Sequence, residues 1–452
     1  MTATKIIVFD DDPTGSQTVH SCRLLTRWDA ITLQEALLDE APLFFVLTNT
    51  RGMDAQRAAA ISREVCHNLK LALADLAAGG TLFNTILVSR SDSTLRGHYP
   101  VETDVIAAEL GPFDAHFLVP AFFEGGRFTR DSVHYLLVDG VPTPVAETEF
   151  AHDSVFAYRH SYLPAYVEEK TAGRIQAGEV ERFLLADVRG DAATSAALSE
   201  RLMQLSGNRC CVVDAETQAD LNQFAAQLQA AAARGKRFLF RSAASLLTAL
   251  AKLPPQPVAA EAMQAYVRGH DEGKAAGAVI VGSHVNKTTA QLQKLLQEPG
   301  IDAIEVEVDR IEGERSALLH GVLAHAERAH AAGATAVIYT SRGERRFPDQ
   351  AARLAFGEAV SAFLMDVVRA LPRSLGFLIS KGGITSNDVL SDGLALRAAN
   401  VLGQILPGCS VVRCPADHVR YPDLPVVIFP GNVGDDAALA TVYRRLSAPH
   451  LP

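Results

Sequence analysis

The sequence predicts an α/β fold, with two α/β domains that have mainly parallel sheets and an active-site cleft between them. The chain has 452 residues, more than a single core usually accommodates. Short apolar runs alternate along it with Ala- and Leu-rich stretches of helical spacing, as in parallel α/β proteins. A Pro-rich segment, KLPPQPV at 252–258, interrupts this alternation near the middle of the chain.

The first series of predicted elements begins with a short strand over Ile6–Phe9, which a run of acids and a Pro-Thr-Gly turn bring to an end. Further strands are predicted near residues 42, 85, 116 and 210, with helices over 54–76 and 219–233. The second series has strands near residues 276, 335, 375, 409 and 425. We therefore predict a first domain over 1–240, a connecting segment over 241–269 and a second domain over 270–452.

Composition excludes several classes of protein. The formal net charge is −10 and no basic block is present, so a nucleic-acid partner is not expected. The six cysteines show no CxxC pair or metal-ligand spacing, which indicates a reducing compartment such as the cytoplasm. The first residues do not resemble a signal peptide, and no apolar run approaches the ~20 residues that span a bilayer.

The strongest candidate site residues lie directly after the predicted strands, where open parallel sheets bind their ligands. Three adjacent carboxylates, Asp10, Asp11 and Asp12, end the first strand, and such a cluster suits holding a cation or accepting protons from hydroxyl groups. In the segment 89–97, arginine can clamp a carboxylate, while aspartate can accept from a sugar hydroxyl or act as a base. Its polar residues include Arg90, Asp92, Ser93, Thr94 and Arg96.

Two further loops of the first domain have a similar chemistry. The segment TNTRG offers Asn49 and Arg51 after a strand. The segment GGR, with Gly126 and Arg127, combines backbone flexibility with a cation. His134, a few residues later, is interpreted as a structural histidine with a hydrogen-bond partner.

In the second domain, glycine-rich loops indicate a nucleotide. The segment GSHVNKT at 282–288 fails the Walker pattern because Asn286 replaces the glycine before the lysine, although Ser283, His284, Lys287 and Thr288 still suit a helix N-terminus. In SKGGITS, Gly382 and Gly383 allow backbone N–H groups to approach phosphate, with Thr385 and Ser386 as hydroxyl donors. The segment PGNVG at 430–434 repeats this design.

These motifs, in this order, resemble those of the four-carbon acid sugar kinase family, formerly a domain of unknown function. The family includes threonate, erythronate and 3-oxo-tetronate kinases. The resemblance covers nearly the whole chain and is carried by DDPTG at 11–15, DSTLRG at 92–97, PAFFEGGRFT at 120–129, GGITS at 382–386 and PGNVG at 430–434.

The resemblance implies a sugar-acid-binding domain over 1–240 and an ATP-binding domain over 270–452, with ATP-dependent phosphorylation of a terminal hydroxyl and a requirement for Mg²⁺. Together with the strand-end candidates, it places catalysis on Asp12 and Asp92 and leaves metal ligands unassigned. The predicted substrate-binding residues are Asp11, Arg51, Arg90, Ser93, Arg96, Gly126 and Arg127. The predicted nucleotide-binding residues are Ser283, Gly382, Gly383, Ile384, Thr385, Gly431 and Asn432.

Several alternatives stay open. Arg90 stands where the family usually has lysine, and Ile384 where an acid or a small polar residue is common, so the acceptor could instead be a relative such as 3-oxo-isoapionate. FDDDPT also fits a haloacid-dehalogenase-type phosphatase, with Asp10 as nucleophile, Asp12 as acid and base, and the acids of 434–436 as metal ligands. A third reading is a non-catalytic sugar-acid-binding regulator. We expect small-molecule partners, no membrane partner and a homodimer as one possible assembly.

Overall fold

The computed structural model describes residues 3–269, 276–283, 285–343, 347, 349–431 and 433–447. The chain divides into two compact units, residues 1–254 and 255–452. The division falls between Pro254 and Pro255.

The main sheet of the first unit has the strand order β2-β3-β1-β4-β11-β5-β10-β9, and its neighbouring strands pair in parallel. Parallel strands are covered on both faces, which explains why β1, β3 and β5 consist mostly of consecutive buried residues. The strands are β1 (Ala3–Asp10), β2 (Cys22–Leu25), β3 (Leu43–Leu47), β4 (Phe83–Arg90), β5 (Ala115–Val119), β9 (Glu181–Phe183), β10 (Arg209–Val213) and β11 (Phe238–Ser242).

A smaller antiparallel sheet with the order β6-β7-β8 belongs to the same unit. Its strands are β6 (Arg127–Arg130), β7 (Val133–Val138) and β8 (Val141–Pro144). The turn between β7 and β8 is made by Asp139 and Gly140, which have φ angles of 50° and 80°. Two residues of positive φ are typical of the tight turns that match the twist of a hairpin.

The helices of the first unit follow the amphipathic stretches of the sequence. The longest, α2, begins after Asp54, whose side chain accepts a hydrogen bond from Arg57 N at 2.8 Å. The helices are α1 (Ala30–Leu38), α2 (Ala55–Ala78), α3 (Val101–Leu110), α4 (Leu163–Lys170), α5 (Leu185–Val188), α6 (Ala192–Gln204), α7 (Gln218–Ala233) and α8 (Ala244–Ala251).

The sheet of the second unit has the order β13-β14-β12-β15-β18-β17-β16. The strands β13, β14, β12, β15 and β18 are neighbours in this order and pair in parallel. The strand β17 is antiparallel to both of its neighbours, β18 and β16. The strands are β12 (Ala278–Val281), β13 (Ile301–Val306), β14 (Thr335–Thr340), β15 (Leu378–Lys381), β16 (Ala398–Leu406), β17 (Cys409–Arg413) and β18 (Pro425–Phe429). The helices are α9 (Asn286–Leu295), α10 (Ile311–Ala331), α11 (Gln350–Ala370), α12 (Gly383–Asp388) and α13 (Ala438–Leu446).

Each unit has its own hydrophobic core. In the first, the Phe117 ring stacks on Phe240 at 5.5 Å and meets Phe238 edge-on at 5.3 Å. In the second, Phe377 and Phe429 belong to a buried cluster on the central strands. The predicted α/β class with mainly parallel sheets is therefore confirmed.

Candidate active site

In the main sheet of the first unit, the direction in which the chain adds strands reverses between β1 and β4. From β1 the chain builds β2 and β3 on one side, and then crosses to β4 on the other side. Such a reversal of strand order leaves a crevice at the carboxyl ends of the two strands, which is where ligands of this fold class bind. Asp10 ends β1 and lies in register with Arg90 at the end of β4.

The acidic loop after β1 wraps around the side chain of Asp10. The Asp12 carboxylate accepts from Thr14 N at 2.9 Å and thereby caps the turn Pro13–Ser16. A Cβ atom at Gly15 would lie 1.9 Å from Asp10 Oδ2, so only glycine fits at this position. Two residues of the DDPTG motif, Asp12 and Gly15, are therefore explained by the local structure of the loop.

Two arginines pair with these acids, one at the end of β4 and one in the loop after β3. Arg90 Nη1 lies 3.3 Å from Asp10 Oδ1. Arg51 donates to both oxygens of Asp11, and its Nη1 lies 3.3 Å from Asp12 Oδ2. Arg51 is therefore fully engaged by the acidic loop.

The segment DSTLRG forms a compact loop after β4. Arg96 Nε donates to Asp92 Oδ2 at 2.8 Å, and the Thr94 hydroxyl donates to the same oxygen. Arg241, at the end of β11, donates to the main-chain oxygen of Arg96 at 2.8 Å and to Ser91 Oγ at 2.9 Å. A Cβ atom at Gly97 would lie 2.3 Å from Ser91 Oγ, which accounts for the glycine that ends the motif.

The site has a buried layer and an accessible layer. The side chains of Asp10, Asp11 and Arg90 are at most 5% exposed, and Ser91 Oγ donates to Asp11 Oδ2 at 2.6 Å beneath the surface. The accessible side chains are 13 to 22% exposed, and they are Asp12, Arg51, Asp92 and Arg96. A ligand would meet this second layer.

The electrostatics of the two layers differ. Burial raises the pKa of Asp10 to about 8 and that of Glu102, which accepts from Thr50 Oγ1, to about 7. Burial also acts on Asp92, but Arg96 and Arg51 outweigh it and hold the pKa of Asp92 well below its usual range. The pKa of Asp12 is lowered in the same way, against burial, by Arg51 and Thr14. The accessible acids are therefore ionised at neutral pH, while Asp10 is largely protonated.

The other predicted residues of the first unit lie around this cluster. The main-chain oxygen of Ser93 accepts from His134 Nε2 at 2.8 Å, and His134 is buried, which lowers its pKa to about 4. Gly126 adopts a φ of 73° at the turn before β6. Burial lowers the pKa of Arg127, whose charge interacts with Asp92 and Arg96 and whose Nη1 donates to Gly125 O at 2.6 Å.

The second unit repeats the same chain path, because β12 is flanked by β14 on one side and by β15 on the other. The loops at its carboxyl edge approach each other closely. A Cβ atom at Gly282 would lie 2.5 Å from Thr385 Oγ1, and one at Gly382 would lie 3.2 Å from Ser283 Cβ. Two glycines thus bring Ser283 and Thr385 together.

The remaining predicted nucleotide residues lie at the same edge. Gly383 begins α12, where the first N–H groups of a helix have no partner within it. Ile384, in that first turn, is 72% exposed. The main-chain oxygen of Gly431 lies 3.5 Å from Thr288 Oγ1. Asn432 and His284 lie outside the described residues.

Two family matches cover most of the chain. Residues 6–250 match the family described as a sugar-binding N-terminal domain, and residues 278–439 match the one described as a nucleotide-binding C-terminal domain. The chain belongs to the four-carbon acid sugar kinase family. The motifs on which the sequence analysis based this resemblance lie within these matches.

Among relatives of this kinase family, the D-erythronate kinase of Heliobacterium modesticaldum is 31% identical over 140 residues. That match covers 31% of this chain and 30% of the relative, so it spans less than a third of either protein.

Two solved structures share the fold over nearly the whole chain. A protein from Salmonella typhimurium LT2 has a TM-score of 0.67 at 20% identity, with 98% of this chain and 99% of that chain covered. A DUF1537 protein from Haemophilus influenzae has a TM-score of 0.62 at 18% identity, with 97% and 100% covered.

Some residues that build the two candidate sites of this kinase-family member were not predicted from the sequence. In the first unit, Ser91 donates to Asp11 of the acidic loop and accepts from Arg241, which also holds the DSTLRG loop, whereas Glu102 accepts from Thr50 in the loop after β3. FLFRS at 238–242 carried a usable signal, because an arginine at the end of an apolar run follows the pattern of the other strand ends. In the second unit, the residues not identified are Arg342, which donates to Ser283 O at 2.5 Å, and Lys381.

Neither unit offers a preformed metal centre within the part of the chain that the structure describes, since no group of three or more His, Cys, Asp or Glu side chains is arranged to hold an ion there. Among the same residues, no helix has the length and apolar character to cross a bilayer.

Proposed function

We propose that the protein is an ATP-dependent kinase that phosphorylates a terminal hydroxyl of a small sugar acid. The observation that carries the proposal is the charge of the first site. Five arginines are gathered there, and one of them, Arg127, has no carboxylate partner among the described residues. A guanidinium group without such a partner favours a small anion in a protein whose net charge is −10. The five are Arg51, Arg90, Arg96, Arg127 and Arg241.

Within this proposal, Arg127 is the principal anchor for the substrate carboxylate. Arg51 and Arg90 are already paired with aspartates, and Arg241 is directed at main-chain oxygens and Ser91. Among the described residues, Arg127 has no carboxylate partner of its own, and Arg96 lies near it. We therefore assign the carboxylate to Arg127, with Arg96 beside it on Asp92 and with Arg51 positioning the acidic loop.

Asp12 and Asp92 are the proposed catalytic residues. Their pKa values are lowered, so both are ionised and can accept a hydrogen bond from the acceptor hydroxyl and orient it. Phosphoryl transfer passes through a loose transition state that depends on positioning and charge neutralisation more than on a strong base. Strongly acidic aspartates are compatible with that requirement.

The glycine loops of the second unit are the proposed binding site for the ATP phosphates. Gly282 and Gly382 keep side-chain atoms away from the strand ends, where backbone N–H groups and the hydroxyls of Ser283 and Thr385 can meet phosphate oxygens. Mg²⁺ commonly takes most of its ligands from phosphates and water. We therefore propose that it accompanies ATP, and we assign it no protein ligand.

The candidate acceptors are four-carbon acid sugars such as threonate, erythronate or 3-oxo-tetronate, or a close relative such as 3-oxo-isoapionate. Similarity to a D-erythronate kinase makes erythronate the first compound to test.

The test is ADP release from ATP and Mg²⁺ in the presence of each acid, with the matching alditol as control because it lacks the carboxylate. We expect at least one acid to stimulate ADP release and its alditol to be inactive. Release of phosphate from acid-sugar phosphates without ATP would instead support the phosphatase alternative.

The structure gives a physical argument against that phosphatase. Its nucleophile would be Asp10, which must be ionised and accessible to attack phosphorus. Asp10 is fully buried against Gly15 and Arg90, and its pKa is raised to about 8. An activity carried by Asp10 is therefore disfavoured.

The role of Arg127 has its own test. In Arg127→Met, we expect the KM for the acid to rise roughly 10- to 100-fold, the value of a charge-assisted hydrogen bond, with a smaller effect on the KM for ATP. The control is Arg130→Met, because Arg130 lies on the same strand but pairs with Glu216 at the surface. Equal effects of the two variants would contradict the assignment.

The cysteines support a proposed location. All six are free and buried. Free thiols persist in reducing compartments, so we propose that the protein works in the cytosol.

A further inference from the structure

Lys381 is a buried cation at the carboxyl edge of the second sheet. It ends β15, and its side chain has no exposed surface. Its Nζ donates to Pro430 O at 2.5 Å and lies 3.4 Å from Gly431 O. Nζ also lies 4.1 Å from the centre of the Phe429 ring. Every one of these contacts is with the end of β18 and the loop that follows it.

This ammonium group is unusual in its partners. No carboxylate pairs with it among the described residues, although a buried charge normally requires one. The titratable groups that act on it are the Cys409 thiol on β17 and the Lys287 ammonium on α9. Burial lowers the pKa of Lys381 to about 7, and Lys287 contributes in the same direction.

We propose that Lys381 is a positioning residue for the loop after β18, which we call the nucleotide loop. The protonated Nζ of Lys381 holds the Pro430 and Gly431 carbonyls in place, so that nucleotide binding is accompanied by proton uptake at Lys381. The inference rests on the proposed binding of nucleotide by this unit. An anionic phosphate near the loop favours the ammonium form, and by linkage the ammonium form favours the phosphate.

The first measurement uses the unmodified protein and ADP. Calorimetric titrations near pH 7.5 in two buffers of different ionisation enthalpy give the number of protons exchanged on binding. We expect net proton uptake that is absent in Lys381→Met, after the contribution of ADP itself, common to both proteins, is subtracted. Equal proton exchange in the two proteins would overturn the inference.

The second measurement is the ratio of the ADP Kd of Lys381→Met to that of the unmodified protein between pH 6 and 9. The titration of ADP cancels in this ratio. We expect the variant to bind roughly 10-fold more weakly at pH 6, the value of a lost charge-assisted hydrogen bond, and the ratio to approach one at pH 9. A ratio that does not change with pH would identify Lys381 as a merely structural residue and overturn the proposal.

Two controls distinguish a specific effect of Lys381 from a general effect of losing a lysine or of losing structure. Lys294→Met removes an exposed lysine from the far end of α9 and should leave the ratio near one at every pH. Lys381→Met should remain folded under the titration conditions, because methionine is an unbranched side chain of similar volume, and thermal unfolding checks this. If the unmodified protein binds no ADP at any pH, the nucleotide assignment itself is wrong, and this inference is overturned with it.

Discussion

Asp92 uses one carboxylate oxygen, Oδ2, for its contacts with both Arg96 and Thr94. Among the described residues, no hydrogen bond is made to the other oxygen, and the low pKa keeps the group ionised. Asp92 is therefore better suited to accept a hydrogen bond from the acceptor than to shuttle a proton.

The variant Asp92→Asn tests this role. We expect turnover to fall by about 100-fold or more while the Kd for ATP is unchanged, because the change removes a charge that orients the acceptor. Steady-state ADP release and nucleotide titration measure the two effects. The control is Asp153→Asn, whose carboxylate lies 3.6 Å from Arg96 at the rim, and which should retain most of the activity. Loss of ATP affinity in Asp92→Asn would contradict the division of roles.

Gly15 provides a test of the acidic loop that is independent of chemistry. Gly15→Ala places a methyl group 1.9 Å from Asp10 Oδ2 in a buried setting, so we expect destabilisation of about 2 kcal/mol or more. Gly52→Ala is the matched control, since a Cβ there meets no described atom within 4 Å. Thermal unfolding of both variants measures the difference, and equal melting temperatures would show that the loop is not packed as described.

At this scale, residue type and position after a strand predicted much of the first cluster. Asp12, Arg51, Asp92 and Arg96 do lie together, because the strands that precede them are neighbours in one sheet. The buried supports were harder to predict. Arg241 meets Ser91 across 150 residues of sequence, and no local pattern indicates that pairing.

Among the elements, long apolar strands were predictable and short or polar ones were not. β1, β3, β4, β5 and β10 each coincide with a predicted run, because strands buried on both faces are continuously apolar. The hairpin of β7 and β8 was not predicted, although Asp139–Gly140 between apolar residues is a strong turn signal. The strand β2, which has only four residues, was not predicted either.

One strand of the first unit, β11, also holds a loop of the candidate site in place. Near the end of β11, Arg241 donates to the Ser91 hydroxyl and to the main-chain oxygens of Asp92 and Arg96. These bonds hold the DSTLRG loop on the sheet without any contribution from a ligand.

The variant Arg241→Met should loosen that loop. We expect faster amide hydrogen exchange over residues 91–97 and roughly a 10-fold or greater loss in kcat/KM for the acid, because the proposed catalytic carboxylate of Asp92 is less well positioned. Arg237→Met is the control, since Arg237 precedes the same strand and donates to Pro112 O and Leu110 O at the opposite end. Unchanged exchange in Arg241→Met would mean that the loop is held by other contacts.

For the molecule as a whole, alternation of strands and helices predicted the fold class, but not the order of strands. That order depends on which crossovers the chain makes, and crossovers are decided by packing between distant segments. Both units nevertheless share one local strand order. In each unit, the first strand of the sheet, β1 or β12, has later strands of the chain on both of its sides.

Burial of the cysteines gives a prediction for the entire chain. All six thiols are buried, so we expect the native protein to react with an aromatic disulfide reagent much more slowly than the denatured protein, which should release six equivalents. The absorbance of the released thiolate measures both. Rapid reaction of a native thiol, or fewer than six equivalents after denaturation without reductant, would contradict the buried and free state.

The placement of the first site between β1 and β4 also has a kinetic consequence. Asp10 and Arg90 are 80 residues apart in sequence, and Ser91 and Arg241 are 150 apart. Contacts of such separation form late in folding, because the loop between them must close first. During refolding, the circular dichroism signal of the helices should therefore recover before catalytic turnover does. The rate at which turnover recovers would then report the rate at which the last strands of the sheet pair.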